Sequence, residues 1–216
     1  HEFHSKDNYT YIVDKDDAIP INIYIGVDLA YEAASHNDYQ IIMVVGVDSD
    51  RNFYVLDYFR EHIPLYDMPD KIFEYAKEFS PVKRVNVEMV GAQGIIKDTV
   101  NQMSGKDRKV APGIALGVRP PTGIKKEDRL ESLLAPIVNR GKLFIKRKHL
   151  ELVDEMFQFP KGRNDDILDG LWYAINNARP PRSKRFEASE FLDNNSKRMK
   201  KTKTSRVISW VTGLKT

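Results

Sequence analysis

The chain has 216 residues, of which 41% are hydrophobic and 30% charged, with two Trp, ten Tyr and ten Phe. That length and composition describe a globular protein with one sizeable core and exclude a disordered chain. The absence of cysteine excludes a disulfide scaffold, a thiolate zinc site and a Cys nucleophile.

No apolar run approaches the length of a membrane span, and no signal peptide is legible. The formal charge is only +3, but it is unevenly spread. The segment RPPRSKRFEASEFLDNNSKRMKKTKTSR, 179–206, is strongly basic, which leaves the rest net acidic. An acidic body with a basic tail points toward a polyanionic partner, although a solvated tail without a partner has the same composition.

In chain order, residues 1–20 read as an irregular lead-in closed by Pro20, with residues 1–3 resembling a tag remnant. Three strand-like runs follow: INIYIGVDLA at 21–30, DYQIIMVVGVD at 38–48 and NFYVLDYF at 52–59. The link DSDRN, 48–52, has hairpin composition. A helix is expected from Met68 to Phe79, with Asp67 as N-cap, Pro69 in the first turn and Pro81 as the stop. VKRVNVEMV, 82–90, is a fourth strand, and GIIKDTVNQM, 94–103, has helical spacing. KVAPGIALGV, 109–118, reads as a strand interrupted at Pro112. A helix from Lys125 to Asn139, a strand KLFIK at 142–146 and a helix at 149–157 come next. NDDILDGLWYAINNA, 164–178, is the last clear helix of a body spanning 21–181, and 182–216 is a basic C-terminal tail. Within it, RVISWVTGL, 206–214, suits a short strand or a partner-binding peptide. The order predicts an α/β fold: a mixed sheet of three antiparallel strands continued by parallel strands and flanked by helices.

Several carboxylates interrupt these apolar patterns. Asp28 ends the first strand, Glu88 lies near the end of the fourth, and Asp165, Asp166 and Asp169 open the last helix. If the first and fourth strands are parallel neighbours, their C-terminal ends lie together, with the last helix starting above them. Asp166 and Asp169, three apart, would share a helical face. Carboxylates brought together cannot all stay ionised without protons or a cation. Oxygen ligands without Cys favour Mg²⁺ or Mn²⁺ over zinc. Two such ions about 4 Å apart can activate water and stabilise a leaving oxygen in phosphodiester hydrolysis. Each acid also has a plainer role: Asp28 in a turn, Glu88 paired with Lys83 or Arg84, and Asp165 as a helix N-cap.

The motifs GVDLA at 26–30, VEMVGAQG at 87–94, GIKKEDRLESLLAPIVNRGKLFI at 123–145 and FPKGRNDDILDGLWYA at 159–174 resemble the nuclease domain of tailed-phage large terminases. The resemblance implies a ribonuclease H-like, resolvase-like fold and metal-dependent cleavage of concatemeric double-stranded DNA in the cytoplasm of an infected bacterium. By position it implies Asp28, Glu88, Asp166 and Asp169 as catalytic metal ligands for two Mg²⁺ or Mn²⁺ ions, with Asp165 as alternate. Asn164 stands where relatives often carry His. Terminases also have an N-terminal ATPase and work with a portal and a small subunit. No GxxxxGK[ST] run is present, so the chain is expected to be a nuclease domain alone.

For DNA contact the sequence offers Lys125, Lys126 and Arg129 at a helix start, where cations oppose the macrodipole, and Lys161 and Arg163 before the acidic cluster. Such a set suits sequence-independent phosphate binding. Two other readings stay open: a Holliday-junction resolvase or ribonuclease H, and a non-catalytic DNA-binding or docking module of a packaging motor.

Overall fold

The computed structural model describes residues 2–6, 9–14, 17–29, 39–89, 94–182, 186–187 and 210–211. A long strand, β3 (Asp17–Asp28), organises the sheet. On one side it pairs antiparallel with β4 (Gln40–Asp48), which pairs antiparallel with β5 (Phe53–Glu61). On the other side its first half pairs with β2 (Tyr9–Asp14), itself joined to β1 (Glu2–Lys6). The second half of β3 runs parallel to β6 (Val82–Glu88), which is parallel to β7 (Ala115–Val118). Beyond β5 lie β8 (Leu143–Lys146), parallel to it, and β10 (Trp210–Val211), antiparallel to β8. A two-residue strand β9 (Phe186–Glu187) meets the start of β3. The expected α/β architecture, an antiparallel meander extended by parallel strands, is the one observed.

The turn between β4 and β5 shows how one side chain sets a hairpin. Buried Asp48 accepts from the Asp50 and Asn52 amides at 2.9 and 2.8 Å, from Asn52 Nδ2 at 2.7 Å and from Tyr54 Oη at 3.0 Å. A buried carboxylate is tolerated when its lone pairs are filled in this way.

Two cores sandwich the sheet. Because side chains alternate along a strand, Ile23, Ile25, Ile42 and Val44 face α1 (Met68–Glu78) and α2 (Gly94–Ser104). Ile41, Met43 and Val45 face α5 (Asp166–Ile175). Helices α3 (Lys126–Asn139) and α4 (Leu150–Gln158) contribute Leu130, Leu134 and Leu152 to that second core. Helix α5 is buried from Ile167 to Ile175, as a helix hydrophobic all round must be. None of the described helices is long and apolar enough to cross a membrane.

Three expectations are corrected. The lead-in is not irregular: β1 and β2 extend the meander, and Phe3 of the supposed tag remnant packs on Phe79 with centroids 5.6 Å apart. The strand expected at 109–118 shrinks to Ala115–Val118, because Pro112 and Gly113 (φ 68°) sit in a turn. Asp67 occupies the N-cap of α1 but makes no side-chain capping bond. Most of the basic tail lies outside the described residues; Trp210–Val211 of the apolar stretch does form a strand.

Candidate active site

The parallel pairing of β3 with β6 brings Asp28 and Glu88 to adjacent strand ends, with Val27 opposite Val87. Above them α5 crosses the sheet at unusually close range. A Cβ on Gly26 would stand 2.2 Å from the Gly170 carbonyl oxygen and 2.3 Å from the Ala174 nitrogen; one on Gly170 would meet Ile41 Cγ2 at 2.5 Å. Two glycines let backbone lie on backbone there. Asn86 fastens the crossing, its Nδ2 donating to the Tyr173 carbonyl at 2.7 Å. Asp169, the neighbour of Gly170, is thereby delivered to the ends of β3 and β6.

Asp28 stands beside Glu88, close enough for the two carboxyl groups to hydrogen-bond whenever one of them is protonated. Burial, the Glu88 bond and charge, and the Asp169 charge together push Asp28 well above the usual carboxylate range, and only Lys126 works against them. Tyr173 Oη donates to Glu88 Oε1 at 2.7 Å, and Arg129 Nη1 reaches that hydroxyl at 3.4 Å. Burial and the Glu88 charge hold the Tyr173 phenol well above its ordinary value, so it stays a donor.

Asp169, 4% exposed, is gripped by two cations. Arg129 bonds its Oδ1, and Lys126 Nζ lies 2.5 Å from Oδ2. The same ammonium donates to Asp165 Oδ1 at 2.7 Å. Burial works to lower the Lys126 ammonium, but the Asp169 and Asp165 carboxylates outweigh it and lift it above its ordinary value. The Arg129 guanidinium lies over the Trp172 ring at 4.6 Å and the Tyr173 ring at 5.6 Å, a stacked setting that a planar guanidinium favours.

The sequence placed Lys126 and Arg129 on DNA; in the structure both are ion-paired to Asp169. Asp166 is half-buried, and its charge acts on Glu155 of α4. Asp165 is instead joined to Asp169 through Lys126. Lys125, Lys161 and Arg163 are exposed. Among the described residues no group of three or more acids or histidines is set at metal-holding geometry, and Asp169 is ion-paired to Lys126 and Arg129. The donor chemistry nevertheless fits a hard cation. With all four ionised, the carboxylates Asp28, Glu88, Asp165 and Asp169 face two cations, Lys126 and Arg129, leaving two negative charges that a divalent ion would balance.

Sequence reasoning missed Tyr173, Glu155 and Arg60. Tyr173 stands four residues after Asp169, so the helical period carried that signal; Gly26 inside an apolar strand likewise marked a close approach.

No family model matches the chain, and no curated protein does. Among solved structures, the large terminase nuclease of the thermophilic phage G20c superposes with a TM-score of 0.53 at 14% identity, over 78% of this chain and 92% of that one. The chain has the fold of that nuclease. The yeast mitochondrial Holliday junction resolvase gives 0.44 at 12% identity, over 69% of this chain and 75% of its own. The fowlpox virus resolvase, solved with Holliday junction DNA, gives 0.43 at 9%, over 72% and 94%.

Proposed function

We propose that this chain is a metal-dependent endonuclease, the nuclease domain of a viral DNA-packaging terminase, acting on double-stranded DNA with little sequence preference. The observation that carries the reading is the meeting of Asp28, Glu88 and Asp169, from two parallel strands and the helix laid across them, with negative charge in excess.

Asp28, Glu88 and Asp169 would hold Mg²⁺ or Mn²⁺. Bound there as one ion or a pair, the metal supplies activation of water and stabilisation of the leaving oxygen. The chain does the rest. Tyr173 fixes Glu88, and Arg129, clamped over Trp172, fixes Asp169. Metal ligands must be deprotonated, and the Asp28 carboxyl is held well above the usual carboxylate range, so metal binding should strengthen with pH. Lys125, Lys161 and Arg163 supply phosphate contacts whose strength falls steeply with salt. In the complete motor the partners would be an ATPase domain, the portal and the small terminase subunit, in the host cytoplasm.

The test is cleavage of supercoiled plasmid with Mn²⁺ or Mg²⁺, set beside EDTA, with duplex, four-way-junction and RNA–DNA hybrid substrates in parallel. Nicking and linearisation of duplex that stop in EDTA and in Asp28→Ala are expected. Undiminished cutting by Asp28→Ala overturns the assignment, and preference for junction or hybrid moves the chain to a resolvase or ribonuclease H role.

A further inference from the structure

Helix α5 carries Asp169 but has no cap of its own. Its N-cap residue, Asp165, makes no side-chain capping bond and turns its carboxylate to Lys126. The first N–H groups of a helix need acceptors from elsewhere. Here two are met by another helix: Glu155 Oε2 of α4 accepts from the Ile167 amide at 3.0 Å and the Leu168 amide at 3.3 Å. Glu155 is buried, and its Oε1 lies 3.7 Å from Arg60 Nη2.

Arg60 anchors this contact to the sheet. It pairs in register with Ile41, which pairs with Asp28, so Arg60 and Asp28 sit at the same end of the meander. Its guanidinium stacks on Tyr39 at 4.0 Å and lies 3.4 Å from Glu151 Oε1. Asn164, with its amide oxygen turned toward Arg60, accepts from Nη2 at 3.1 Å. The chain entering α5 is thus tied to β5 by the residue that also faces Glu155.

We infer that Glu155, backed by Arg60, is the N-terminal cap of α5 and positions Asp169 against Asp28 and Glu88. A cap within the same segment satisfies donors but leaves the helix able to slide. A carboxylate from α4, anchored to β5, fixes where α5 begins. Asp169 lies in that first turn, its amide bonded to the Asp165 carbonyl at 3.0 Å, so the cap sets its position directly. Oε2 can accept these two amides in either protonation state, since a protonated carboxyl keeps acceptor capacity. The inference rests on the proposed metal site for its consequence in function, and not for the cap.

Two measurements on the full chain test it: exchange of the Ile167 and Leu168 amides, and Mn²⁺ binding followed by EPR. Glu155→Ala should speed exchange at both amides about tenfold, as loss of a cap does. It should also weaken Mn²⁺ binding about tenfold or more, as loss of a group orienting a ligand does. Glu155→Gln keeps an acceptor oxygen and should lose neither protection nor affinity. Unchanged protection in Glu155→Ala, or faster exchange with unaltered Mn²⁺ affinity, overturns the positioning role. If the Ala variant does not fold, Glu155→Gln decides: a loss there of protection or affinity overturns the cap. Wild-type protein that binds no Mn²⁺ sinks the metal reading, and amide exchange then settles the cap alone.

Discussion

The Glu155→Gln substitution also tests the electrostatics of this region through stability. Burial pushes the Glu155 carboxyl from 4.5 up to about 7, against the lowering influence of Arg60 and of the two amides it caps. Native protein therefore keeps a proton that the unfolded chain releases above 4.5. The stability tied to that proton is complete below 4.5 and is lost as pH rises toward 7. Across roughly 2.5 pH units, at about 1.4 kcal/mol each, the loss is about 3 kcal/mol. The side chain is only 7% exposed, so solvent screening takes little from this figure. Gln is neutral throughout and keeps the capping oxygen. Urea unfolding of the two proteins should give nearly equal stabilities near pH 4.5. By pH 8 the variant should be ahead by about 3 kcal/mol, or about 6–12 °C in Tm for a chain of this size. A gap between the two that stays constant from pH 5 to pH 8 would refute the reasoning, since the native carboxyl would then titrate like that of the unfolded chain.

Three further substitutions probe the site's supports. Gly26→Ala drives a methyl into the Gly170 carbonyl and Ala174 nitrogen; backbone cannot step aside as a side chain does, so a loss of ~3 kcal/mol is expected in thermal unfolding. Tyr173→Phe removes the bond to Glu88 Oε1 and should cost about 1.5–3 kcal/mol, the range for a hydrogen bond to a charged group, read by denaturant midpoint. Lys126→Met leaves Asp165 and Asp169 one cation poorer; because that side chain is 39% exposed, the stability loss should be about 1 kcal/mol or less. Since Lys126 is the charge that lowers Asp28, the Asp28 carboxyl should titrate at higher pH in that variant, which NMR of the side-chain carbon reads directly.

The sheet was legible because its signals are local. Alternation over 21–28, the continuous apolar run at 41–47, the turn chemistry of DSDRN and the prolines around α1 each report on neighbouring residues. The first two strands escaped because Tyr9–Asp14 and its surroundings mix polar and apolar residues without clean alternation, and their pairing is decided by contact with β3. In the site, sequence spacing identified which acids interrupt apolar runs, and parallel pairing of β3 with β6 does bring Asp28 to Glu88. It could not say which face of α5 turns inward. Asp166 and Asp169 have the same local pattern; in the fold Asp169 is buried and paired with Arg129 and Lys126, while the charge of Asp166 acts on Glu155. Nor could it distinguish a lysine that meets DNA from one that meets Asp169, since both stand at the same helix start.

Those two cations are not equivalent, and the difference follows from their surroundings. Arg129 is 8% exposed, stacked over Trp172 and bonded to both Asp169 and Tyr173. Moving it would strand a buried carboxylate and a buried guanidinium together, a loss of several kcal/mol. Lys126 stands at the very start of α3 on a flexible stem, more than a third exposed, with its charge opposed by the helix dipole. Withdrawing it strands only the Oδ2 side of Asp169 and a carboxylate, Asp165, that water can reach. Arg129 is therefore the counter-charge held on several sides at once, and Lys126 the one more open to solvent and held by ion pairs alone among the described residues.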